Sequence, residues 1–138
     1  MKTFHSSKPS KYRAEPTVID GIRFDSKGEA KRYTYLKELE EMGVIENLKR
    51  QQKYVLIPSQ YDFGVITKKG TFRKGKLLER ECAYKSDFEY EYKGEHIVED
   101  FKGMKTDSYR IKRKLMLWKH GVRIYEARKW NEPPGGGA

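Results

Sequence analysis

Residues 84–102 carry the pattern that most limits how this chain can fold. Apolar and polar side chains alternate in YKSDFEYEY (84–92), Lys93-Gly94 follows, and EHIVEDFK (95–102) continues the alternation. Alternation predicts strands, and a two-residue connection that ends in glycine predicts a β-hairpin, because such turns need positive φ. With this turn, residue i of the hairpin faces residue 187 − i.

This register brings three reactive side chains to one face of the hairpin. Asp87 lies opposite Asp100, with Cβ atoms about 4.5–5.5 Å apart, and Lys102 shares their face because it is two residues further on. The two carboxylates and the carbonyl of Phe101 are hard oxygen ligands of the kind that Mg²⁺ prefers, and the lysine can act on a phosphate or on the attacking water. The set predicts a metal site for phosphodiester hydrolysis. A one-residue slip would replace Asp100 by Glu99 and break the set.

Two interpretations of these charges remain open from the residues alone. Acidic and basic residues on hairpins usually form solvated faces or cross-strand ion pairs, which need no metal. The alternative is the metal site just described. The metal site depends on the register that places Asp100, and not Glu99, opposite Asp87.

Glu29 is the third candidate acid. It lies early in a helix predicted for about residues 26–42, in line with Tyr33 and Leu36, and therefore points toward the sheet. A carboxylate that faces inward needs a partner, and a metal ion would be one. Residues 26–29 (SKGE) also match the capping box S-x-x-E, in which the glutamate serves the helix start instead.

The remaining pattern predicts a single α/β (α+β) domain with a mixed sheet flanked by helices. Ile111, Leu115 and Trp118 predict the buried face of the second helix, which links two parallel strands. Residues 1–17 are predicted as a flexible basic N-terminal arm, 18–130 as the domain and 131–138 as a disordered tail. The predicted elements are a strand-turn at 18–24, the first helix, a turn and strand at 44–58, strand edges around a mobile hairpin at 59–80, the hairpin at 84–102, a second helix at about 107–120 and a last strand at 122–130.

Charge points to a polyanionic partner. The 138 residues include 30 basic and 20 acidic side chains, a net charge of +10, which favours nucleic acid first. A membrane is disfavoured because no apolar run approaches about 18 residues, and the single cysteine, Cys82, is typical of a reducing cytoplasm. Each basic residue alone fits a solvated surface, but as a set they predict phosphate contacts. The predicted DNA contacts are Lys68, Lys69, Arg73, Lys74 and Lys76 in a loop, and Arg110, Lys112, Arg113 and Lys114 on the second helix.

Four blocks in order carry a resemblance to a known superfamily. They are FDSKGEAKRY (24–33), NLKRQQKYVLIP (47–58), RECAYKSDFEY (80–90) and IVEDFKG (97–103), within about residues 11–128. Their acids and lysine resemble the PD-(D/E)XK nucleases, and within them a family of small phage and prophage proteins related to Holliday-junction resolvases. The resemblance implies an αβββαβ core. It also implies metal ligands at Asp87 and Asp100, a helix carboxylate at Glu29, a catalytic Lys102 and an accessory Gln51.

Together these observations lead us to expect a Mg²⁺-dependent endodeoxyribonuclease, with Mn²⁺ as a substitute metal. The expected enzyme is a structure-selective Holliday-junction resolvase of phage origin that acts as a homodimer on four-way DNA in the host cytoplasm. Two alternatives stay open. One is a nickase, flap or single-strand endonuclease on the same fold, and the other is a non-catalytic nucleic-acid-binding module in which the acids serve only structure.

Overall fold

The computed structural model describes residues 16–101 and 104–136. This part of the chain has two α-helices and twelve short strands, an α+β arrangement that confirms the predicted fold class. Neither of these helices is long and apolar enough to cross a membrane. The elements are β1 (Thr17–Ile19), β2 (Ile22–Phe24), α1 (Lys27–Glu41), β3 (Glu46–Arg50), β4 (Lys53–Ile57), β5 (Gln60–Tyr61), β6 (Val65–Ile66), β7 (Phe72–Arg73), β8 (Leu77–Glu79), β9 (Cys82–Lys85), β10 (Phe88–Tyr92), β11 (Glu95–Phe101), α2 (Asp107–His120), β12 (Tyr125–Ala127) and a 3₁₀ turn at Pro134–Gly136.

A four-stranded sheet in the order β12-β11-β10-β3 forms the centre of the domain. β10 pairs antiparallel with both β11 and β3, whereas β12 runs parallel to β11. A parallel pair needs a crossover connection, and α2 supplies it. The sequence α1, β3, β10, β11, α2, β12 therefore reproduces the predicted order of helix, three strands, helix and strand.

The two faces of this sheet carry separate apolar cores. Successive residues of a strand point to opposite faces, so neighbours on β11 enter different cores. Glu99 lies on the side covered by α1, and Asp100 lies on the side covered by α2. The core on the α1 side includes Phe24, Leu36, Ile45, Phe88 and Tyr90, and the core on the α2 side includes Leu56, Tyr84, Val98, Tyr109 and Met116.

Helix α1 begins and ends as its sequence predicts. The Ser26 hydroxyl accepts a hydrogen bond from the backbone N–H of Glu29 at 3.2 Å, and Gly43 has a φ of 75° just past the helix end. A side-chain oxygen at the N-cap satisfies an otherwise unpaired N–H, and glycine enters the left-handed conformation without strain. The start of the helix, where Glu29 lies, is therefore fixed by local chemistry.

The predicted buried face of α2 is wrong for Ile111 and Trp118 and right for Leu115, which is half-buried against the core on the α2 side. Ile111 is 59% exposed and Trp118 is 80% exposed, whereas Tyr109 and Met116 are buried. Tyr109 and Met116 are also seven residues apart, so the helical period fits two different faces equally well. The face that carries Tyr109 and Met116 packs against the sheet, with the half-buried Leu115 beside it, whereas Ile111 and Trp118 face outward.

One long antiparallel hairpin runs from β3 to β10 and includes every strand between them. Over most of its length residue i faces residue 138 − i, as in the pairs Arg50–Phe88, Lys53–Lys85 and Ile66–Phe72. Its outer part, which we call the distal hairpin (residues 60–80), is exposed throughout except at Thr67 and Gly75. The predicted hairpin at 59–80 is thus part of a much longer one.

The long hairpin bends where it leaves the central sheet. Residues 44–58 were predicted to hold one strand, but β3 and β4 are separated at Gln51, whose φ is 51°. On the opposite side, β9 and β10 are separated at Ser86 and Asp87. The backbone N–H of Gln51 donates to the Asp87 carbonyl at 3.4 Å, and that of Ser86 donates to Gln52 at 3.0 Å. Pairing therefore continues through the bend, which period-2 alternation alone does not predict.

The C-terminal segment differs from the disordered tail predicted for 131–138. Pro134 is buried, and the backbone N–H of Gly135 donates to the Tyr90 hydroxyl at 3.1 Å. The carbonyls of Trp130 and Glu132 accept hydrogen bonds from Arg32. The described residues 131–136 are ordered because a buried guanidinium needs their carbonyl oxygens. Residues 137–138, and residues 1–15 of the predicted N-terminal arm, lie outside the described residues.

Candidate functional site

The register of β10 and β11 brings Asp87 and Asp100 together as predicted. Phe88 pairs with Glu99, which confirms that residue i faces residue 187 − i. One residue further on, the backbone N–H of Asp87 donates to the Glu99 carbonyl at 3.2 Å. The Asp87 carboxylate reaches across to β11, where its Oδ2 accepts the N–H of Phe101 at 2.8 Å. The two acids therefore lie side by side at the end of β11.

Asp100 is buried beside two tyrosines on the α2 side of the sheet. It is 2% exposed, and its Oδ2 accepts a hydrogen bond of 2.8 Å from the Tyr84 hydroxyl. Burial raises the pKa of Tyr84, and the charges of Asp100 and Asp87 raise it further. Burial, followed by the charge of Asp100, also raises the pKa of Tyr109. Tyr84 consequently stays protonated at any physiological pH and keeps its hydrogen bond to Asp100.

A small cleft opens beside the two acids. Its volume is about 250 Å³, and it lies between β9, the end of β11 and the start of α2. The lining includes Asp87 and Asp100 together with Thr106, Tyr109 and Lys112. Lys112 was predicted as a DNA contact, and its position in this lining places a cation next to the paired carboxylates.

Glu29 lies at the same end of the sheet, on the α1 side. Its Oε1 is 3.8 Å from Nη2 of Arg50, which pairs with Phe88 next to Asp87. A Cβ added at Gly28 would lie 2.9 Å from the Phe101 ring, so the start of α1 packs directly on the end of β11. The Glu29 carboxylate thus faces Arg50 on the α1 side, and among the described residues it does not form a group of three metal-binding acids with Asp87 and Asp100, which border the cleft on the α2 side.

Gln51 and Lys102 complete the predicted set. Gln51 lies at the bend of the long hairpin, where its backbone N–H contacts the Asp87 carbonyl, so it adjoins the acids through its main chain. Lys102, the predicted catalytic lysine, lies outside the described residues. Phe101 directs its N–H to Asp87 and its ring to the start of α1.

The donor set fits a magnesium ion. Among residues 16–101 and 104–136 no group of three or more histidine, cysteine, aspartate or glutamate side chains is arranged to hold a metal. Mg²⁺ usually takes only one or two carboxylates from a protein and completes its shell with other oxygens. A carboxylate has about four lone-pair positions, so the bonds from Tyr84 and from the Phe101 N–H are compatible with metal ligation by the same acids.

The predicted basic contacts divide into three groups. Lys68, Lys69, Arg73, Lys74 and Lys76 are exposed on the distal hairpin, and Arg110 and Lys114 are exposed on α2. Lys112 lines the acidic cleft. Arg113 instead holds Glu126 at 2.7 Å, together with Lys105 at 2.7 Å, and these two cations lower the pKa of Glu126 although its burial opposes the shift. Arg113 therefore has a structural role that its sequence position did not reveal.

A buried ion pair between Arg32 and Glu99 is the main element that sequence reasoning missed. Both side chains are fully buried, with Nη2 to Oε1 at 2.6 Å and Nε to Oε2 at 2.8 Å, and the Tyr90 hydroxyl donates to Glu99 at 2.8 Å. Burial opposes the charge of Arg32, but the hydrogen bonds and charge of Glu99 outweigh it and raise the pKa of Arg32. A signal was present, because Arg32 shares the buried stripe of α1 with Leu36 and a charge there needs a partner.

Comparison with known proteins identifies the family of the chain. No curated protein and no solved structure matches the chain. Residues 9–130, well over half of the sequence, match the model of a family described as "Protein of unknown function (DUF1064)". The chain that pairs Asp87 with Asp100 at the bend of its long hairpin therefore belongs to the DUF1064 family.

Proposed function

We propose that this protein is a Mg²⁺-dependent endodeoxyribonuclease of the PD-(D/E)XK type that acts on branched DNA. The observation that carries the proposal is the pairing of Asp87 and Asp100 beside one cleft, in the register that a metal site requires. Burying carboxylates is costly, and a cation bound between two of them lowers the cost for both. The net charge of +10 supplies the attraction to DNA.

In the proposed hydrolysis of a phosphodiester, each residue of the site has its own role. When bound, the metal polarises the phosphate and lowers the pKa of a coordinated water. Asp87, Asp100 and the Phe101 carbonyl would hold it, with Glu29 as a further ligand from the α1 side. Tyr84 fixes the orientation of the Asp100 carboxylate. Lys112 adds positive charge to the cleft, and Lys102 is the proposed partner of the attacking water.

The proposed substrate is a four-way junction, and the proposed assembly is a homodimer. Two symmetric nicks in one junction require two active sites, which a two-fold dimer provides. Ile111 and Trp118 support this assembly, because they form an exposed apolar stripe on α2 that a second copy can cover. A phage-encoded enzyme of this kind would act in the cytoplasm of its host.

A non-catalytic nucleic-acid-binding module is the second candidate. One specific observation favours it: Asp87 binds the Phe101 N–H and Asp100 binds the Tyr84 hydroxyl, so both acids also serve the structure. A nickase, a flap enzyme or a single-strand endonuclease would use the same acids on the same fold, because fold does not determine the substrate.

A panel of DNA substrates separates these functions. Purified protein is incubated with a four-way junction, a flap, a linear duplex and single-stranded DNA, each with Mg²⁺, with Mn²⁺ and with EDTA. We expect paired symmetric nicks in the junction that require the metal. Equal cutting of all four DNAs would refute junction selectivity, and binding without cutting in any metal would favour the non-catalytic module.

Matched variants test the site itself. Asp87→Asn and Lys102→Ala should abolish cutting while DNA binding persists, and Glu95→Gln, an exposed acid elsewhere on β11, should cut like the wild type. Cutting that survives in both site variants would exclude this cleft as the active site. Binding is measured in EDTA, so that the DNA stays uncut while its affinity for each variant is determined.

A further inference from the structure

The distal hairpin carries an unusual combination of exposed apolar and basic side chains. Its 21 residues include six lysines and arginines against two acids, a net charge of +4. Phe63 is 94% exposed, the highest value among the large apolar residues of the described chain, and Ile66 and Phe72 are 75% and 68% exposed. Ile66 and Phe72 are cross-strand partners, and exposed apolar side chains that cluster in this way mark a surface that contacts a partner.

The hairpin holds these groups in a defined shape. The Phe72 ring packs on the backbone of Gly64, where an added Cβ would lie 2.3 Å from the ring. An added Cβ at Gly75 would lie 2.1 Å from the Asp62 carbonyl oxygen. The N–H of Asp62 donates to the Lys76 carbonyl at 2.8 Å, which pairs the two strands beside Phe63. The strands approach closely because glycine occupies both contact points, and Phe63 projects from the segment that they define.

The hairpin is joined directly to the acidic cleft. Strand β9 forms one side of its base and also lines the cleft through Ala83, Tyr84 and Lys85. At the base, the Lys119 ammonium donates to the Leu56 carbonyl at 3.2 Å, which fastens β4 to the end of α2. At about 3.3 Å per residue, the turn at 68–70 lies at most about 56 Å from Lys53. A ligand that occupies the cleft can therefore extend along the hairpin.

Charge selects among the possible partners. Arms with a net charge of +4 repel each other, so a second copy of the hairpin is a poor partner for it. A polyanion is attracted, and every base of a nucleic acid offers a π-face on which an exposed phenylalanine can stack. Bases are open to such stacking where strands separate or branch, whereas a continuous duplex keeps them covered.

We infer that the distal hairpin is a DNA-binding arm in which Phe63 stacks on an unstacked base at a branch or single-stranded segment. Lys68, Lys69 and Lys74 contact the flanking phosphates. This inference rests on the proposed function for its ligand, and it adds a source of selectivity for branched DNA that lies outside the acidic cleft. Lys74 already lies 3.8 Å from the centre of the Tyr61 ring, which shows cation and aromatic ring side by side in this segment.

Binding measured without metal tests the inference independently of cutting. Fluorescence anisotropy in EDTA compares a labelled four-way junction, an oligo-dT strand and a linear duplex. We expect Phe63→Ala to weaken binding of the junction and of oligo-dT by about 5- to 150-fold, as for the loss of one stacked base, with less than about a twofold change for the duplex. Phe63→Trp should restore binding, and Leu78→Ala, which removes an exposed side chain that cannot stack, should bind like the wild type.

Substitution of the lysines should change the affinity for all three DNAs and its dependence on salt. Replacing Lys68 and Lys69 by alanine should weaken binding of all three DNAs alike. The slope of log K against log salt should fall by about 0.9 for each duplex phosphate that the variant no longer neutralises, and by about 0.7 for each phosphate of a single strand. A weakening confined to one DNA would contradict their assignment to the phosphates. Because Phe63, Lys68 and Lys69 are exposed, their substitution leaves the fold intact, as circular dichroism can verify.

Three results would overturn the inference. Stacking is excluded if Phe63→Ala binds all three DNAs like the wild type. It is also excluded if this variant loses as much affinity for the duplex as for the single strand. Cosedimentation of the wild type with phosphatidylserine vesicles that disappears in Phe63→Ala would identify a membrane surface instead. A change of oligomeric state in Phe63→Ala, measured by analytical ultracentrifugation, would identify a protein interface.

The inference and the proposed function fail in different ways. If no DNA is cut with any metal but Phe63→Ala still weakens binding of the junction and the single strand, the nuclease proposal is wrong and the stacking arm stands. If the junction is cut and Phe63→Ala binds it like the wild type, the arm is wrong and the nuclease stands.

Discussion

Glu99 and Asp100 are adjacent buried acids on β11 that lie on opposite sides of the sheet and bind different partners. Glu99 is 0% exposed on the α1 side, where both oxygens of its carboxylate bind Arg32. Asp100 is 2% exposed on the α2 side, where it binds the neutral Tyr84 hydroxyl and borders the cleft. One acid is paired with a buried guanidinium, and the other lies beside a second carboxylate, Asp87.

Because the two acids are equally buried, their partners and not their burial lead us to expect different roles for them. An Arg–carboxylate pair with two parallel hydrogen bonds is complete and stabilises the structure. Two carboxylates beside one another repel, and a bound cation removes that repulsion. Glu99 is thus expected to affect folding, and Asp100 is expected to affect catalysis.

The largest expected effect concerns stability. Arg32→Met leaves Glu99 buried without its countercharge and also removes the donors that bind the carbonyls of Trp130 and Glu132. Breaking a buried pair from one side costs about 3–5 kcal/mol, a large share of the stability of a small domain. Urea unfolding followed by circular dichroism measures the change in midpoint. The double variant Arg32→Met/Glu99→Met should recover much of the loss, and an Arg32→Met midpoint equal to that of the wild type would contradict a structural role for the pair.

Asp100→Asn is expected to lower the cutting rate strongly and the stability of the fold only slightly, the opposite of Arg32→Met. Removing one metal ligand forfeits several kcal/mol of charge stabilisation, which corresponds to a fall in cutting of at least about 10²-fold. Stability should change by only about 1 kcal/mol, because the amide oxygen still accepts the Tyr84 hydrogen bond. Junction cleavage with Mg²⁺ and urea unfolding of the same preparation make the test. A variant that unfolds but cuts normally when folded would reverse the roles assigned to Asp100 and Glu99.

The elements near the acids were predictable because local chemistry determines them. The Lys93-Gly94 turn fixes the register that joins Asp87 to Asp100, and the Ser26 cap fixes the start of α1. Both depend on residues that are close in sequence. The pairing of Asp87 with Asp100 at a strand end could therefore be predicted from the sequence alone, together with the crossover through α2.

The elements that escaped prediction depend on contacts between distant residues. The tail is ordered because Arg32, about a hundred positions earlier, binds its carbonyls. The buried face of α2 is chosen by packing of Tyr109 against the sheet, although Ile111 and Trp118 have the same helical period. The bend at Gln51 arises within a pairing that spans some 36 residues. Periodicity carries no information about such partners.

A change at Glu29 is expected to lower the cutting rate by less than a change at Asp100. The cap bond that the structure shows comes from the backbone N–H of Glu29, so it persists whatever the side chain. Glu29→Gln keeps the shape and the helix start but removes the charge that faces Arg50. If Glu29 is a ligand, Glu29→Gln should lose about 10-fold or more of the cutting rate, and Glu29→Ala should lose no less. A fully active Glu29→Gln enzyme would exclude Glu29 as a metal ligand. Cutting rates over a range of Mg²⁺ concentrations measure the effect.

Tyr84 tests whether the orientation of Asp100 matters. Tyr84→Phe removes one hydrogen bond to a charged acceptor, worth about 1.5–3 kcal/mol. If about 1.4 kcal/mol of this is lost from the transition state, the cutting rate falls by about tenfold. A positioning role also raises the Mg²⁺ concentration needed for half-maximal cutting, which a loss of stability alone would not do. Tyr54→Phe, which removes a hydroxyl bonded to Glu89 and not to Asp100, is the matched control. Equal metal dependence in Tyr84→Phe and the wild type would exclude the positioning role.

The smallest expected effect belongs to Glu89, a third buried acid whose cationic partner can titrate. His96 Nε2 lies 2.7 Å from Glu89 and Nδ1 lies 2.6 Å from Glu91, and hydrogen bonds to Glu91 and then to Glu89 raise the pKa of His96. A raised pKa in the folded state stabilises the protein fully below the unfolded value of about 6.5, and this contribution is lost as pH rises through the folded pKa.

Urea unfolding at pH 5.5 and pH 8.5 measures this contribution by comparison with His96→Gln. The advantage of the wild type over the variant should be present at pH 5.5 and small at pH 8.5, because only protonated His96 carries the charge that Glu89 and Glu91 attract. An equal advantage of the wild type over His96→Gln at both pH values would show that the histidine contributes packing and hydrogen bonding and not charge. Glu89 would then differ from Glu99 in having no ionic partner.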